Sequence, residues 1–373
     1  MGLTGNAVLA VAAALAVGLF AVTVLLWPRL AARTAPAVVG RTFLLLATQL
    51  ALFVAAGLLA NHAFLFYGSW ADLFGREQEL GTVVDHGTGG GASGGVVRTG
   101  TRRPDVPGTG GPASVGRIDE VVVHGPASGI DSRAYVYLPP EYFQAAHAGR
   151  MFPAVIVLTG YPGTAENLVK GLRYPQTAHE RVKAGRARPM VLVMLRPTVA
   201  PPRDTECVDI QDGPRTETFF ARDLPRAVSR TYRVGERARN WGVIGNSTGG
   251  YCALKLGLHH PDRFAASAGL SAYYRAAEDP TTGDLFHGDR AARRRADLLW
   301  SLDHRPPAAS SFLVTTSRQG EVNLRGTREF IDRVKAPARV SSIVLDSGGH
   351  NFATWRREIP PALEWLSSRL TGD

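Results

Sequence analysis

The 373-residue chain reads as a doubly wound, mostly parallel α/β sheet preceded by two transmembrane helices. Three observations predict this. Short apolar runs alternate with helix-compatible stretches over residues 117–370, as strands buried on both faces and joined by helices would. One run, Trp241-Gly-Val-Ile244, leads directly into Gly245-Asn-Ser-Thr-Gly249 and then into Tyr251-Cys-Ala-Leu-Lys-Leu256, a strand–turn–helix unit. Two long apolar runs fill most of the first 66 residues.

Residues 7–27 carry no charge and are long enough to span a bilayer, and residues 42–66 form a second such run. The second ends among Asn61, His62, Phe64 and Phe66, with Tyr67 and Trp70 beyond, and aromatics there suit an interfacial belt. A cleaved signal peptide is the rival reading of the first run. The uncharged start at residues 1–6 and the closely following second run argue against it. Arg29, Arg33 and Arg41 lie between the runs with no acidic residue, which predicts a cytoplasmic loop. The chain is then a multi-pass plasma-membrane protein with the bilayer as a partner, and everything after residue 66 is extracytoplasmic. Residues 71–116, Gly-rich from 86 onward, read as a flexible tether.

The formal net charge of +10 is carried almost wholly by Arg, with only four Lys. Codon bias accounts for this as well as attraction to anionic lipid or wall polymer does. No basic stripe is interleaved with aromatics, so no nucleic-acid partner is expected. Cys207 and Cys252 lack metal-ligand spacing, so neither metal nor cofactor is expected.

Within the domain, residues 118–123 and 133–138 read as paired antiparallel strands, separated by turn residues. The runs 153–158 and 190–195 suit buried parallel strands; residues 216–232 read as a helix and 241–244 as the next strand. A helix over 248–258, strands at 265–270, 311–316 and 340–345, and helices near 322–334 and 354–370 complete the set. Ligands in such sheets sit at the carboxyl ends of the strands, where Ser247 lies.

The glycines flanking Ser247 fit a turn in which side chains at 245 and 249 would collide with the packed strand and helix. A serine at a helix N-terminus is suited to attack a carbonyl, because the free N–H groups favour a developing oxyanion. It needs a base oriented by an acid, in the chain order Ser, acid, His. Of ten histidines, His350 follows the last strand and a Ser347-Gly-Gly349 turn, at the catalytic edge. Glu321 follows the strand 311–316 and is the expected acid, in preference to Asp303, Asp332 and Asp346. The oxyanion amides are expected from Thr248 and Tyr161, the latter in Thr159-Gly-Tyr-Pro-Gly163, which a plain tight turn would also explain.

With these residues placed, the domain resembles the putative-esterase branch of the α/β-hydrolases, which includes esterase D, enterochelin esterases and secreted mycolyltransferase antigens. The resemblance covers residues 117–370 and is carried by Tyr137-Leu-Pro-Pro140, residues 155–160, residues 245–250, His260-Pro-Asp-Arg-Phe264 and His350-Asn-Phe-Ala-Thr-Trp355. It implies an α/β-hydrolase fold with Ser247 as nucleophile, His350 as base, Glu321 as acid, and Tyr161 and Thr248 as oxyanion donors. Mycolyltransferases usually carry aspartate where this chain has Thr159, so trehalose mycolyl transfer is not implied.

Thr159 and Gly160 are expected to contact substrate, as are Arg203, Glu206 and Asp209 in a loop after the strand 190–195; an ordinary solvated loop is the alternative for the latter three. Cys207 and Cys252 are either a disulfide or two unlinked thiols. Residues 272–307 are either a lid or a solvated helical excursion. The expected function is a membrane-anchored extracytoplasmic serine esterase or acyltransferase acting on an ester or acyl-donor substrate through an acyl-enzyme. The alternatives are mycolyltransferase-like transfer to an envelope sugar or glycerol hydroxyl, a non-catalytic envelope-binding module, and a subunit of a membrane complex.

Overall fold

The computed structural model describes residues 5–64, 95–199, 201 and 203–372. The chain divides into two compact units, residues 1–85 and 86–373.

In the first unit, α1 (Asn6–Leu26) and α2 (Ala35–Phe64) pack against each other. Both are long and apolar enough to cross a membrane, with mean hydropathy 2.7 and 2.3 and most side chains exposed. A hydroxyl pair joins them, Thr23 Oγ1 lying 2.8 Å from Thr48 Oγ1. Pro36 stands in the first turn of α2, where its missing N–H is harmless. The helix therefore starts well before residue 42, and Arg41 lies inside it rather than in the loop, which keeps Arg29 and Arg33. The expected end of the span at residue 66, with Tyr67, Trp70 and most of the tether, lies outside the described residues.

The second unit is built on a nine-stranded sheet in the order β1-β2-β3-β5-β4-β6-β7-β8-β9. Its strands are β1 (Val96–Arg102), β2 (Arg117–Gly125), β3 (Ile130–Leu138), β4 (Ala154–Leu158), β5 (Val191–Leu195), β6 (Trp241–Asn246), β7 (Ala266–Leu270), β8 (Ser311–Gln319) and β9 (Arg339–Ser347). The first three strands and the β3–β5 pair are antiparallel, and every later pairing is parallel. This is the predicted doubly wound sheet.

One expectation is corrected. Residues 96–102, assigned to the flexible tether, form the edge strand β1 against β2. Val96 and Val97 favour a strand, and the exposed edge of β2 supplies the backbone partners that a Gly-rich context cannot announce. Arg102 then fastens the edge, pairing with Glu120 at 2.6 Å and Glu166 at 2.9 Å. A short helix, α3 (Pro112–Val115), also falls within the supposed tether.

The central strands alternate their side chains between two cores. Ala154, Ile156 and Leu158 pack on one face with α5 (Leu224–Thr231) and α6 (Thr248–His259). Val155 and Val157 pack on the other with α4 (Tyr174–Lys183) and α10 (Phe352–Arg369), while Phe330 of α9 (Leu324–Arg333) joins the first core. Residues 272–307 are packed onto the domain and are not a solvated excursion. They carry α7 (Arg290–Arg295) and α8 (Leu298–His304), bury Leu285, Phe286 and Leu298, and are tied to α6 by Tyr251 Oη donating to Ala296 O at 2.8 Å.

Candidate active site

Ser247 stands between β6 and α6 with φ 54° and ψ −122°, a conformation that costs energy for a residue with a Cβ. Packing holds it there. A Cβ on Gly245 would lie 2.3 Å from Gly249 C, and one on Gly249 would lie 2.4 Å from the carbonyl oxygens of Leu158 and Thr159. Both glycines are required because helix and strand meet backbone to backbone. The Ser247 N–H donates to Leu270 O at 3.0 Å, fixing the turn to the end of β7.

His350 lies on the loop between β9 and α10. Asn351 caps that helix, its side chain accepting from Thr354 N at 3.1 Å, and the Trp355 ring packs edge-on against the imidazole at 5.2 Å. Glu321 follows β8 through Gly320 (φ 93°), where a Cβ would strike Gly348 O at 2.5 Å, so the acid's loop passes closely beneath the histidine's loop.

The three side chains meet. His350 Nε2 is 2.8 Å from Ser247 Oγ, and His350 Nδ1 is 3.4 Å from Glu321 Oε2. The imidazole is 44% exposed, whereas the Glu321 side chain is 1% exposed. A solvent-accessible imidazole thus faces a buried carboxyl group. The 3.4 Å separation is long for a charged hydrogen bond, as in many sites before substrate binds.

Thr248 opens α6, so its N–H is among the four without an intrahelical acceptor. The 159–163 turn approaches Ser247 closely, since a Cβ on Gly160 would lie 3.0 Å from Ser247 Cβ. Tyr161 follows directly.

The expected substrate-contacting residues divide. Gly160 lies against Ser247, but Thr159 is buried and donates its hydroxyl to Gly163 O at 3.0 Å. Arg203 donates to Thr282 O at 2.8 Å and Asp284 O at 2.7 Å, acting as a strut to the 279–284 turn. Asp209 accepts from Thr218 N at 2.9 Å and Thr218 Oγ1 at 2.6 Å, bracing the start of the following helix. The polar ends of Thr159, Arg203 and Asp209 each make hydrogen bonds within the protein.

Glu206 is buried beside the nucleophile's helix. Tyr273 Oη donates to Glu206 Oε1 at 2.5 Å and lies 3.1 Å from Thr248 Oγ1, which is itself 3.5 Å from Asp204 Oδ2. Burial, reinforced by the Asp204 charge, pushes the Glu206 carboxyl up to about 8, and burial pushes Asp204 up to about 6. Sequence reasoning missed Asp204 and Tyr273. Tyr273 follows the carboxyl end of β7, a position where the strand-end rule would have flagged it.

Cys207 and Cys252 form a disulfide with Cα atoms 5.7 Å apart, settling the alternative left open by the sequence. It ties the 204–209 loop to α6, the helix that presents Ser247. Among the described residues no group of three or more His, Cys, Asp or Glu is placed to hold a metal ion.

The fold and this geometry agree with comparisons to known proteins. Solved structures similar to the chain include a ferulic acid esterase (TM-score 0.57, 18% identity, 68% of this chain and 98% of that one). An S-formylglutathione hydrolase from Agrobacterium tumefaciens is similar at TM-score 0.54 and 19% identity, over 69% of this chain and 96% of that one. The fluorophosphonate-binding serine hydrolase F of Staphylococcus aureus is similar at TM-score 0.54 and 18% identity, over 68% and 98%. An uncharacterized protein of Corynebacterium glutamicum is 26% identical over 259 residues, 65% of this chain; the match spans 58% of that relative's length. The family model described as putative esterase matches residues 126–366, well over half of the chain. Sheet, elbow and family match agree, and the chain belongs to the putative esterase family.

Proposed function

We propose that the protein is a membrane-anchored, extracytoplasmic serine esterase or acyltransferase that works through an acyl-enzyme on Ser247. The observation that carries this reading is the 2.8 Å approach of His350 Nε2 to Ser247 Oγ with Glu321 behind the ring. Glu321 accepts from the imidazole Nδ1–H and so leaves the Nε2 lone pair directed at the serine. Nε2 takes the hydroxyl proton as Oγ attacks the ester carbonyl. The amides of Thr248 and Tyr161 then stabilise the oxyanion. Collapse of the tetrahedral intermediate expels the alcohol, which receives its proton from His350. Water or a hydroxyl acceptor, deprotonated by the same histidine, releases the acyl group.

Anchoring is supported by the two long apolar helices and by Arg29 and Arg33 in their connecting loop. A buried disulfide suits an oxidising compartment. Retention of the chain in membranes after alkaline carbonate washing tests the anchor, and its release would refute it.

The catalytic reading is tested by labelling the intact protein with a fluorophosphonate and by hydrolysis of short p-nitrophenyl esters. Ser247 should carry the label, and S247A should lose both label and turnover. An unlabelled Ser247, together with full activity in S247A, would overturn the assignment. Adding glycerol to the assay separates hydrolysis from transfer through the appearance of an acylglycerol.

A further inference from the structure

One face of α6, the helix that begins at the nucleophile's turn, is gripped along its length. Thr248, Tyr251, Cys252 and Lys255 follow the spacing i, i+3, i+4 and i+7, so they share that face, and all four are buried. Each meets either the 204–207 segment or Tyr273. Cys252 is bonded to Cys207, and Lys255 Nζ donates to the Cys207 carbonyl. The Tyr251 ring stacks on the Tyr273 ring at 5.2 Å and 14°.

At Thr248 this grip reaches the chemistry. Its Oγ1 stands between two groups, Tyr273 Oη at 3.1 Å and Asp204 Oδ2 at 3.5 Å. Tyr273 Oη is fixed in turn by Glu206 Oε1 at 2.5 Å. The anchors are themselves tied down. Asp204 N donates to Thr281 O at 3.0 Å, and Glu206 N to Asp204 Oδ1 at 3.1 Å. Glu206 and Cys207 hold φ at 47° and 49°, left-handed values that a residue with a Cβ keeps only where its surroundings impose them.

The consequence lies in the Thr248 backbone. A threonine has two heavy atoms on Cβ and so few χ1 choices, and the choice depends on φ and ψ. Fixing the hydroxyl therefore fixes the backbone that aims the Thr248 N–H. That N–H opens α6 without an intrahelical acceptor and is directed by nothing further along the helix. Misplacing a catalytic group by about 1 Å can cost about 100-fold in rate. Valine would fill the same space as threonine, so the hydroxyl is the atom that carries the effect.

We propose that Tyr273 is a positioning residue for the reaction at Ser247, its phenol setting the Thr248 side chain and through it the direction of the oxyanion amide. This inference rests on the acyl-enzyme reading and adds to it a residue from the far end of β7.

The test is steady-state hydrolysis of a short p-nitrophenyl ester by the whole chain in detergent micelles, with thermal unfolding of each variant. Y273F and T248V should each lower kcat about 10-fold and leave KM within about twofold, because the amide acts as charge develops on the carbonyl oxygen. T248S restores the hydroxyl and should recover most of the loss seen in T248V. Two losses through one contact do not add, so Y273F/T248V should be no slower than the slower single variant; independent roles would give about 100-fold. If Y273F does not fold, T248V against T248S reads the same contact without touching the stacked ring. An additive double variant, an effect confined to KM, or wild-type kcat in either Y273F or T248V overturns the proposal. S247A keeps the two readings apart. Full turnover in S247A sinks the acyl-enzyme reading, whereas an inactive S247A beside wild-type kcat in T248V sinks the positioning role alone.

Discussion

Glu358 offers a quantitative check on the ground behind the candidate acid. It is fully buried on α10, one turn after Trp355. Burial pushes its pKa from the ordinary 4.5 up to about 8; the Thr315 hydroxyl on β8 and Arg357 on α10 pull it down, while the Glu321 carboxylate adds to the rise. Tyr174 on α4 also faces it, its phenol raised by burial and by Glu358. At neutral pH Glu358 is therefore a neutral acid.

The sign of the linkage follows. Below pH 4.5 both folded and unfolded chains hold the Glu358 proton, and nothing is lost. Between 4.5 and about 8 the unfolded chain releases it and the fold retains it, so stability falls as pH rises, by up to about 1.4 kcal/mol per unit. Above about 8 the fold ionises too, and the loss levels off. E358Q keeps a neutral, nearly isosteric side chain and removes this dependence. From about pH 5.5 to about pH 7.5 wild type should lose about 2.5 kcal/mol relative to E358Q, or about 5 °C in Tm at about 2 °C per kcal/mol for a domain of this size. The assay is thermal unfolding of both proteins across this range, with all other titrations cancelling in the difference. A gap between the two midpoints that does not change with pH would refute the reasoning.

E321Q should lower kcat by about 10³- to 10⁴-fold with little change in KM, because the amide no longer fixes the imidazole tautomer; steady-state kinetics on a p-nitrophenyl ester checks this. G249A should cost at least about 3 kcal/mol or abolish soluble expression, since its Cβ would sit 2.4 Å from two backbone carbonyl oxygens that cannot swing aside. Replacing both Cys207 and Cys252 by Ala should destabilise the domain by about 2–4 kcal/mol, read by denaturant titration, because the bridge closes a loop of sequence separation 45.

The elements most legible in the sequence were those specified by local pattern. Val155 to Leu158 and Val191 to Leu195 announce strands buried on both faces because every residue is apolar, and the sheet places them as expected. Gly245 and Gly249 announce the turn because only glycine fits between a strand and a helix in backbone contact, and His350 carries its own flanking signature. Its place after the strand 311–316 singled out Glu321 from Asp303, Asp332 and Asp346, and the fold brings it to within 3.4 Å of the imidazole.

Other features were decided only by residues distant in sequence. The edge strand β1 lies in a Gly-rich region whose strand character depends on the waiting edge of β2. Arg203 and Asp209 read as ligand-facing because charged residues after a parallel strand often are, yet Thr282, Asp284 and Thr218 absorb them. Asp204 and Glu206 from one loop meet Tyr273 from another, and Glu358 is acidic in a helix whose sequence gives no sign of burial. Local sequence sets conformation and alternation because those depend on near neighbours. Burial of a charge, and the partners that tolerate it, depend on which surfaces the finished sheet brings together.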